Sequence, residues 1–312
     1  MIILGDRYSF SKIELERLKK RFNDITHISY KHMGAGESIQ VLENILKDTP
    51  ITLIVLNTKV KLPHKFVTYL TKLELKGIHY ITLEHFLEEY LNKCYISLDS
   101  NSNAFLEEIH AYTPFQICQK RLVDYTAVFL LFPLTLLTIL YSWYRTNKES
   151  PGALFFQQKR IGVSEKEFTC IKLRSMHLNA EENGAQFASE DDPRVFPWGK
   201  FLRHSKLDEL IQLWNVFKGE MHFVGPRPER KIWTKEFEKS IPFYTQRHVV
   251  APGITGLAQI KYQYGSGKLD AEQKLMYDLY YIKNWSLWLE VKVIWKTALF
   301  VLTSKKDDLS NF

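Results

Sequence analysis

The sequence predicts two fold classes in succession. The first is an α/β N-terminal unit with a doubly wound, Rossmann-like sheet. The second is an α+β unit held to a membrane from one side by a re-entrant helix hairpin and amphipathic interfacial helices. Three observations lead there. Short apolar runs alternate with helical patterns up to Leu98; Tyr125 to Tyr144 (YTAVFLLFPLTLLTILYSWY) carries no charge yet contains a proline; and beyond Gly152 the composition becomes globular and loop-rich. The expected divisions are residues 1–98, a linker over 99–118, and a membrane-associated domain over 119–312 with its hairpin spanning about 120–145.

In the first unit the pattern reads as strand Met1–Leu4, helix Ser11–Phe22, strand Ile25–Tyr30, helix Glu37–Leu46, strand Ile51–Asn57, helix Lys65–Leu75, strand Ile78–Thr82 and helix Glu84–Lys93. Regular βα alternation favours a parallel sheet covered on both faces. A dinucleotide site would need a glycine fingerprint after the first strand, where only Gly5 stands, and the Gly34-Ala35-Gly36 turn is displaced from that position. Asp99 to Pro114 is polar and irregular, as a linker is.

Tyr125–Tyr144 is about as long as a helix needs to cross the hydrocarbon core. Pro133 near its middle removes a backbone hydrogen bond and clashes with the preceding turn, a cost of about 3 kcal/mol in a helix interior. Lys120 and Arg121 precede the segment and Arg145 and Lys148 follow it. Positive charge at both ends assigns both to the cytoplasm, so a helix-break-helix hairpin is favoured over a span. Further on, ALFFQQKR and FTCIKLRSM flank Gly162 as a hairpin would. In SLWLEVKVIWKTALFVL the apolar residues Leu287, Val291, Ile294, Ala298 and Val301 recur at helical spacing. That helix fits either core packing or, with its tryptophans and lysines, the headgroup region.

The formal net charge of +7 suits nucleic acid, an anionic membrane or a phosphorylated substrate. No nucleic-acid-binding motif accompanies it, so no nucleic-acid partner is expected. Cys94, Cys118 and Cys170 lie too far apart for a metal-ligand spacing and read as reduced cytosolic thiols. MIILGDRYSF is too short an apolar run, without a basic leader, to be an export signal.

The stretch from Gly199 to Glu229, GKFLRHSKLDELIQLWNVFKGEMHFVGPRPE, is the most informative. Asp208 and Glu209 are adjacent and so point in different directions on a helix; one can act as nucleophile while the other binds metal or handles a proton. An Asp-Glu pair alone is more often a solvated turn. In Gly225-Pro226-Arg227-Pro228 two prolines fix the backbone on either side of one arginine, ready for bidentate phosphate contact or simply turning the chain. APGITGLAQI, which includes Gly253, Ile254, Thr255 and Gln259, is a second glycine-proline loop that serves as a phosphate or uridine cradle or as a plain turn. Lys172 and Arg174 alternate along a strand, and both are expected on one face as a positive wall.

These motifs resemble those of the polyprenyl-phosphate hexose-1-phosphate transferases, or monotopic phosphoglycosyl transferases, of the bacterial sugar transferase family. The likeness runs from Lys120 to Leu302 through KRLVD, the proline-broken hydrophobic segment, FFQQKRIG, KLRSM, DPRVFPWGKFLR, LDELIQLWNVFKGEMHFVGPRPE, PGITGLAQ and YDLYYIKNWSLWLE. QIKYQYGSG before YDLYYIKN is similar to the exopolysaccharide-type branch, whose members often carry a Rossmann-like domain ahead of the catalytic part. The resemblance implies a two-step transfer in which Asp208 attacks the β-phosphate of a UDP-sugar, UMP leaves, and polyprenyl phosphate takes the phosphosugar. It implies Mg2+ at Asp208 and Glu209, phosphate contacts from Lys172, Arg203 and Arg227, and an acidic position at Asp278. It also implies a place on the cytoplasmic face of the membrane in contact with lipid, and it admits a homodimer and polysaccharide-assembly partners.

Two residues depart from the family pattern. Phe132 stands where a serine usually precedes the hairpin proline, and Ala251 stands where Arg or Lys usually precedes PGITG, so Arg247 or His248 must substitute or donor binding weakens. Two other readings compete: a metal-dependent glycosyltransferase using Asp191 and Asp192 and releasing UDP, and a non-catalytic membrane scaffold.

Overall fold

Four parallel strands organise the N-terminal part of the chain. The structure, a computed structural model, describes residues 1–29, 35–96, 107–182, 184, 186, 192–262, 265 and 267–303. The chain divides into two units after Tyr95.

In the first unit β1 (Ile2–Leu4), α1 (Lys12–Lys19), β2 (Thr26–Ile28), α2 (Ala35–Asp48), β3 (Leu53–Leu56), α3 (His64–Glu74), β4 (His79–Thr82) and α4 (Leu83–Phe86) follow one another, and α4 runs on as a wider turn of helix, Leu87–Leu91. The sheet order is β2-β1-β3-β4, all parallel, with Ile2 paired to both Thr26 and Ile54. The two central strands, β1 and β3, are buried and read as continuous apolar runs. Ile2, Leu4 and Ile54 pack with Leu42 of α2 and with Phe66 and Leu70 of α3. Ser11 caps α1 in a reciprocal box with Glu14. Gly5 has φ +104°, and a Cβ there would lie 2.3 Å from the Asn57 carbonyl oxygen. The Asn57 side chain fills the space after β1, donating to the Gly5 and Tyr8 carbonyls at 3.0 and 2.9 Å. The Gly34-Ala35-Gly36 turn begins outside the described residues.

The second unit opens on α5 (Pro114–Glu149), 36 residues long. Thr113 and Gln116 form its capping box and Pro114 sits in its first turn. The linker expected through residue 118 therefore ends sooner: a cap followed by proline starts a helix despite polar surroundings. The segment expected as helix-break-helix is one run of helix that continues through Pro133. Proline leaves the Phe129 carbonyl without its helical donor. Just beyond it the Thr135 and Thr138 hydroxyls donate back to the Leu131 and Leu134 carbonyls, each at 2.8 Å. Such back-bonding satisfies the hydroxyls within the helix and favours a bend there.

Helix α5 is long and apolar enough to cross a membrane. Its packing is inverted relative to a soluble amphipathic helix. Lys120, Asp124, Thr135, Thr138, Ser142 and Thr146 are its buried residues, spaced by three, four or eleven positions and so on one face, while Phe129, Leu130, Phe132, Leu137 and Trp143 are exposed. Polar groups face the protein and apolar ones face outward, as lipid contact requires.

A hairpin follows, β5 (Phe155–Ile161) with antiparallel β6 (Glu167–Leu173), turning beyond Gly162. Then come α6 (Pro197–Ser205), a 3-10 turn (Leu207–Gln212), α7 (Leu213–Phe217), β7 (His222–Val224), α8 (Lys231–Ser240), a second 3-10 turn (Tyr244–Val249), β8 (Gly253–Thr255), α9 (Leu257–Lys261), α10 (Lys268–Lys283) and α11 (Leu287–Thr303). β7 and β8 pair in parallel. Phe168 and Cys170 of β6 pack with Val216 and Met221, and Leu173 packs with Phe196, Trp198 and Leu202.

Lys120 and Arg121, read from sequence as a free charged flank, are both engaged internally. Lys120 pairs with Glu290 of α11 at 2.8 Å with neither side chain exposed, and Arg121 pairs with Asp124 at 3.2 Å. Charge neutralised inside the fold no longer orients a segment across a membrane, so the positive-inside argument loses these two residues. On α11 the inward residues are Glu290 and Val293, while Leu287, Trp288, Val291 and Trp295 face outward. Of the stripe that fitted either core packing or the headgroup region, Leu287, Val291 and Val301 are exposed, the arrangement an interfacial helix needs.

Candidate active site

The site is assembled where β6, the first 3-10 turn and the loop after β7 meet. Lys206 takes a left-handed conformation (φ 58°) between α6 and that turn, so Leu207–Gln212 leaves in a new direction. Consecutive residues on so tight a turn point about 120° apart. Asp208 and Glu209 accordingly meet different surroundings.

Glu209 sits in a clamp of cations. Arg227 bonds both its oxygens, Nη2 to Oε1 at 2.7 Å and Nη1 to Oε2 at 3.2 Å, and Lys172 of β6 donates to Oε1 as well. Burial works against the Glu209 charge, but Arg227 and Lys172 together outweigh it and hold the carboxyl well below the usual carboxylate range. Asp208, only 8% exposed, receives no hydrogen bond or ion pair among the described residues. Burial, and then the Glu209 charge, push it up to about 6, against the pull of Lys172, Arg203 and Lys206. One carboxylate of the pair is thus bound by the protein, and the other is left free beside several cations.

Other parts keep this geometry. Asn215 of α7 donates to the Thr169 carbonyl at 2.7 Å and accepts from the Ile171 amide at 3.2 Å, fixing α7, which directly follows the 3-10 turn, to the strand that carries Lys172. Arg247 donates to the Arg227 carbonyl and to Asp278, each at 2.8 Å. Asp278, nearly fully buried and pushed up to about 6 chiefly by that burial, therefore supports the arginine loop through Arg247. Arg160 donates to the Pro228 carbonyl at 3.2 Å from the other side of the loop. Sequence reasoning missed Asn215 and Arg160. The one signal for Asn215 was a carboxamide inside the apolar run LIQLWNVF; Arg160 gave none.

Lys172, Asp208, Glu209 and Arg227 come together as expected, with Arg203 near enough to act on Asp208 through its charge. Arg174 does not join them. β6 ends at Leu173, so strand alternation stops one residue short of Arg174. Its guanidinium is spent on the Ala153 carbonyl (2.5 Å), the Ser150 hydroxyl (2.7 Å), the Ser150 carbonyl and the Met176 carbonyl (3.3 Å), clasping the end of α5. The PGITG loop also differs from the open cradle. The Gly253 amide donates to the Pro226 carbonyl at 2.9 Å and the Gly225 amide to the Thr255 carbonyl at 2.8 Å. Added Cβ atoms at Gly253 and Gly256 would lie 2.0 and 2.2 Å from Gly225 backbone atoms, so these glycines let two backbones touch. Thr255 bonds Thr297 at 2.7 Å, Gln259 donates to the Ile254 carbonyl at 3.0 Å, and Ile254 packs against the core under β6. The loop buttresses the arginine loop and spends those amides doing so.

Among the alternatives, Asp192 is taken by Arg194 at 2.6 Å, and Asp191 lies outside the described residues. The substitutes considered for the missing basic residue at Ala251 are also engaged. Arg247 serves Asp278, and burial, then the Arg247 charge, push His248 down to about 3, so it is neutral.

The sequence profile of the bacterial sugar transferases matches residues 115–304, well over half the chain. The chain belongs to that family. It is 43% identical over 184 residues to the UDP-N-acetylgalactosamine-undecaprenyl-phosphate N-acetylgalactosaminephosphotransferase of Aeromonas hydrophila, over 59% of this chain and 44% of that protein. It is 40% identical over 190 residues to a UDP-glucose:undecaprenyl-phosphate glucose-1-phosphate transferase of Xanthomonas campestris, over 60% of this chain and 38% of that one. It is 36% identical over 188 residues to a glucose-1-phosphate transferase of the same title from Caulobacter vibrioides, over 60% of this chain and 70% of that protein. The chain thus spans less than half the length of the first two relatives. The whole of the candidate site lies inside the segment that defines this family of sugar transferases.

Proposed function

We propose that this chain transfers a sugar 1-phosphate from a UDP-sugar to polyprenyl phosphate, the first membrane step in assembling an exopolysaccharide or other glycan. The observation that carries the reading is the unequal carboxylate pair: Asp208 is free and Glu209 is clamped by Lys172 and Arg227. Glu209, neutralised on the protein side, anchors the two cations beside the donor phosphates. Asp208, without a partner to weaken it, is the nucleophile. In the first step an Asp208 carboxylate oxygen bonds to the β-phosphorus as the bond from that phosphorus to the bridging oxygen breaks, and UMP leaves with the electron pair. In the second a phosphate oxygen of the polyprenyl carrier attacks the same phosphorus, releasing Asp208 and forming the polyprenyl-diphosphate sugar.

Bringing a carboxylate to about 4 Å from a phosphate charge meets a repulsion of about 4 kcal/mol at an effective dielectric near 20. Lys172, Arg203 and Arg227 offset much of it. The free oxygens of Asp208 and the one coordination position left on Glu209 also suit Mg2+, a hard ion that takes few protein carboxylates and leaves its other positions to phosphate oxygens. When bound it would supply further neutralisation of charge.

The outward apolar faces of α5 and α11 support seating on a membrane. We place both units on its cytoplasmic face, with α5, unbroken but bent in the membrane at Pro133, entering and leaving on one side, and the N-terminal sheet as a Rossmann-like accessory domain. The relatives differ in the sugar their titles name, so the donor must be found by assay. Purified protein given polyprenyl phosphate and a panel of UDP-sugars should release UMP with at least one of them. Release of UDP instead would show that the sugar moves without its phosphate and would refute the reading.

A further inference from the structure

Away from the carboxylate pair, three elements of the second unit bring Glu165, Glu238 and His248 together. Glu165 is in the turn between β5 and β6, Glu238 is on α8, and His248 is in the second 3-10 turn. One carboxylate oxygen from each glutamate and one ring nitrogen of His248 all lie within 4.8 Å of one another. Residues so far apart in sequence gather acidic groups only at a cost, since like charges repel at that range.

The surroundings of the cluster suit a bound cation. Among the described residues neither glutamate has an ion pair or a side-chain hydrogen bond. Lys235 acts on Glu238 from nearby without forming an ion pair with it, so the repulsion between the two carboxylates is relieved only in part. The imidazole is only 7% exposed, and its Nδ1 is buried without any hydrogen-bond partner. A buried ring nitrogen in that condition is costly unless a ligand takes it up. The ring edge of Tyr244 fixes its plane, with centroids 6.4 Å apart. With the ring hydrogen on Nε2, the unpartnered Nδ1 has its lone pair available to a metal.

We infer that Glu165, Glu238 and His248 form a metal site, separate from the catalytic pair, that takes a divalent cation of the zinc class. The donor set decides the class. An imidazole with two carboxylates suits zinc, whereas magnesium prefers oxygen alone. Bonds of about 2.1 Å in a tetrahedron place ligand atoms about 3.4 Å apart. The present spacing closes to that by rotation of the exposed Glu165. Three protein ligands leave the fourth position to water. The cation would staple the tip of the β5–β6 hairpin to α8 and to the turn carrying Arg247, the neighbour of His248. Through Arg247 it would steady the loop that holds Arg227.

The test uses the full chain in detergent, stripped with a chelator and titrated with zinc chloride. Bound zinc is measured after desalting, together with the thermal unfolding midpoint. Wild type and Asp208→Asn should bind zinc with equal affinity, and zinc should raise the midpoint of both. Glu165→Gln/Glu238→Gln should bind at least about tenfold more weakly and show no zinc-dependent rise. Its metal-free midpoint shows whether it has folded. Should it not fold, Glu165→Gln alone, at an exposed position, repeats the comparison. Zinc binding undiminished in the glutamine variants, loss of zinc in Asp208→Asn alone, or no retention of zinc by wild type would each overturn the assignment.

Discussion

Replacing Lys120 by Met tests how α5 is joined to the catalytic framework. The ammonium is fully buried and donates to Glu290 Oε1 at 2.8 Å, to the Tyr281 hydroxyl at 2.8 Å and to the Val224 carbonyl at 3.0 Å. Methionine fills most of the space but leaves the Glu290 charge buried with only the Tyr281 hydroxyl and the Trp285 indole, at 2.5 and 2.8 Å, as donors. Removing one partner of a buried pair costs about 3–5 kcal/mol, because the other charge is stranded. For a unit of this size each kcal/mol lowers the unfolding midpoint by about 2–4 °C, so the expected fall is roughly 6–20 °C. Glu290→Gln should lose a comparable amount by stranding the lysine. In Lys120→Met/Glu290→Gln no charge remains to strand, so the double variant should lose clearly less than the sum of the single ones. The assay is thermal unfolding in detergent followed by tryptophan fluorescence, to which Trp285 beside Glu290 contributes. Val224 immediately precedes the Gly225–Arg227 loop, so Lys120→Met should also lower turnover in the folded protein, with partial recovery in the double variant. Strict additivity of the two losses would refute the view that these residues form one coupled, buried pair.

Asp208→Asn nearly preserves shape while removing the nucleophile. UMP release should fall by several orders of magnitude and the phosphosugar adduct should vanish from intact-mass spectra, whereas near wild-type turnover would contradict the two-step route. Arg174→Met should lower stability by about 2–4 kcal/mol, since several buried carbonyls and a hydroxyl lose their donor, yet leave the KM for UDP-sugar unchanged; a large rise in KM at unchanged stability would restore Arg174 to the phosphate site. For topology, native Cys118, exposed near the start of α5, can be compared with a cysteine introduced at Lys148 after Cys94 and Cys170 are replaced. Protection of both from an impermeant thiol reagent outside intact cells, with labelling after the membrane is opened, is expected of a hairpin; labelling of one end alone from outside would establish a span.

The sequence by itself determined whatever depends on local pattern. The βα alternation of the first unit, the hairpin around Gly162 and the uncharged segment around Pro133 were legible because periodicity and turn residues act within a few positions. Asp208, Glu209, Lys172 and Arg227 were legible because their motifs sit close together in a chain segment long enough to resemble a family. Tertiary structure decided the partnerships. Whether Glu209 or Asp208 is the clamped carboxylate depends on which one the 3-10 turn aims at Lys172 and Arg227. Lys120 looked like a membrane flank until Glu290, 170 residues away, was found beside it. Arg174 looked like a phosphate ligand until the strand ended one residue early. Arg247 gained a role as the strut between Asp278 and the Arg227 loop, and Glu165, Glu238 and His248 belong to no common motif. The physical reason is the same in each case. Burying a charge is unfavourable unless an opposite charge or a hydrogen-bond partner meets it. That partner comes from whichever distant segment packs there, which local sequence does not specify.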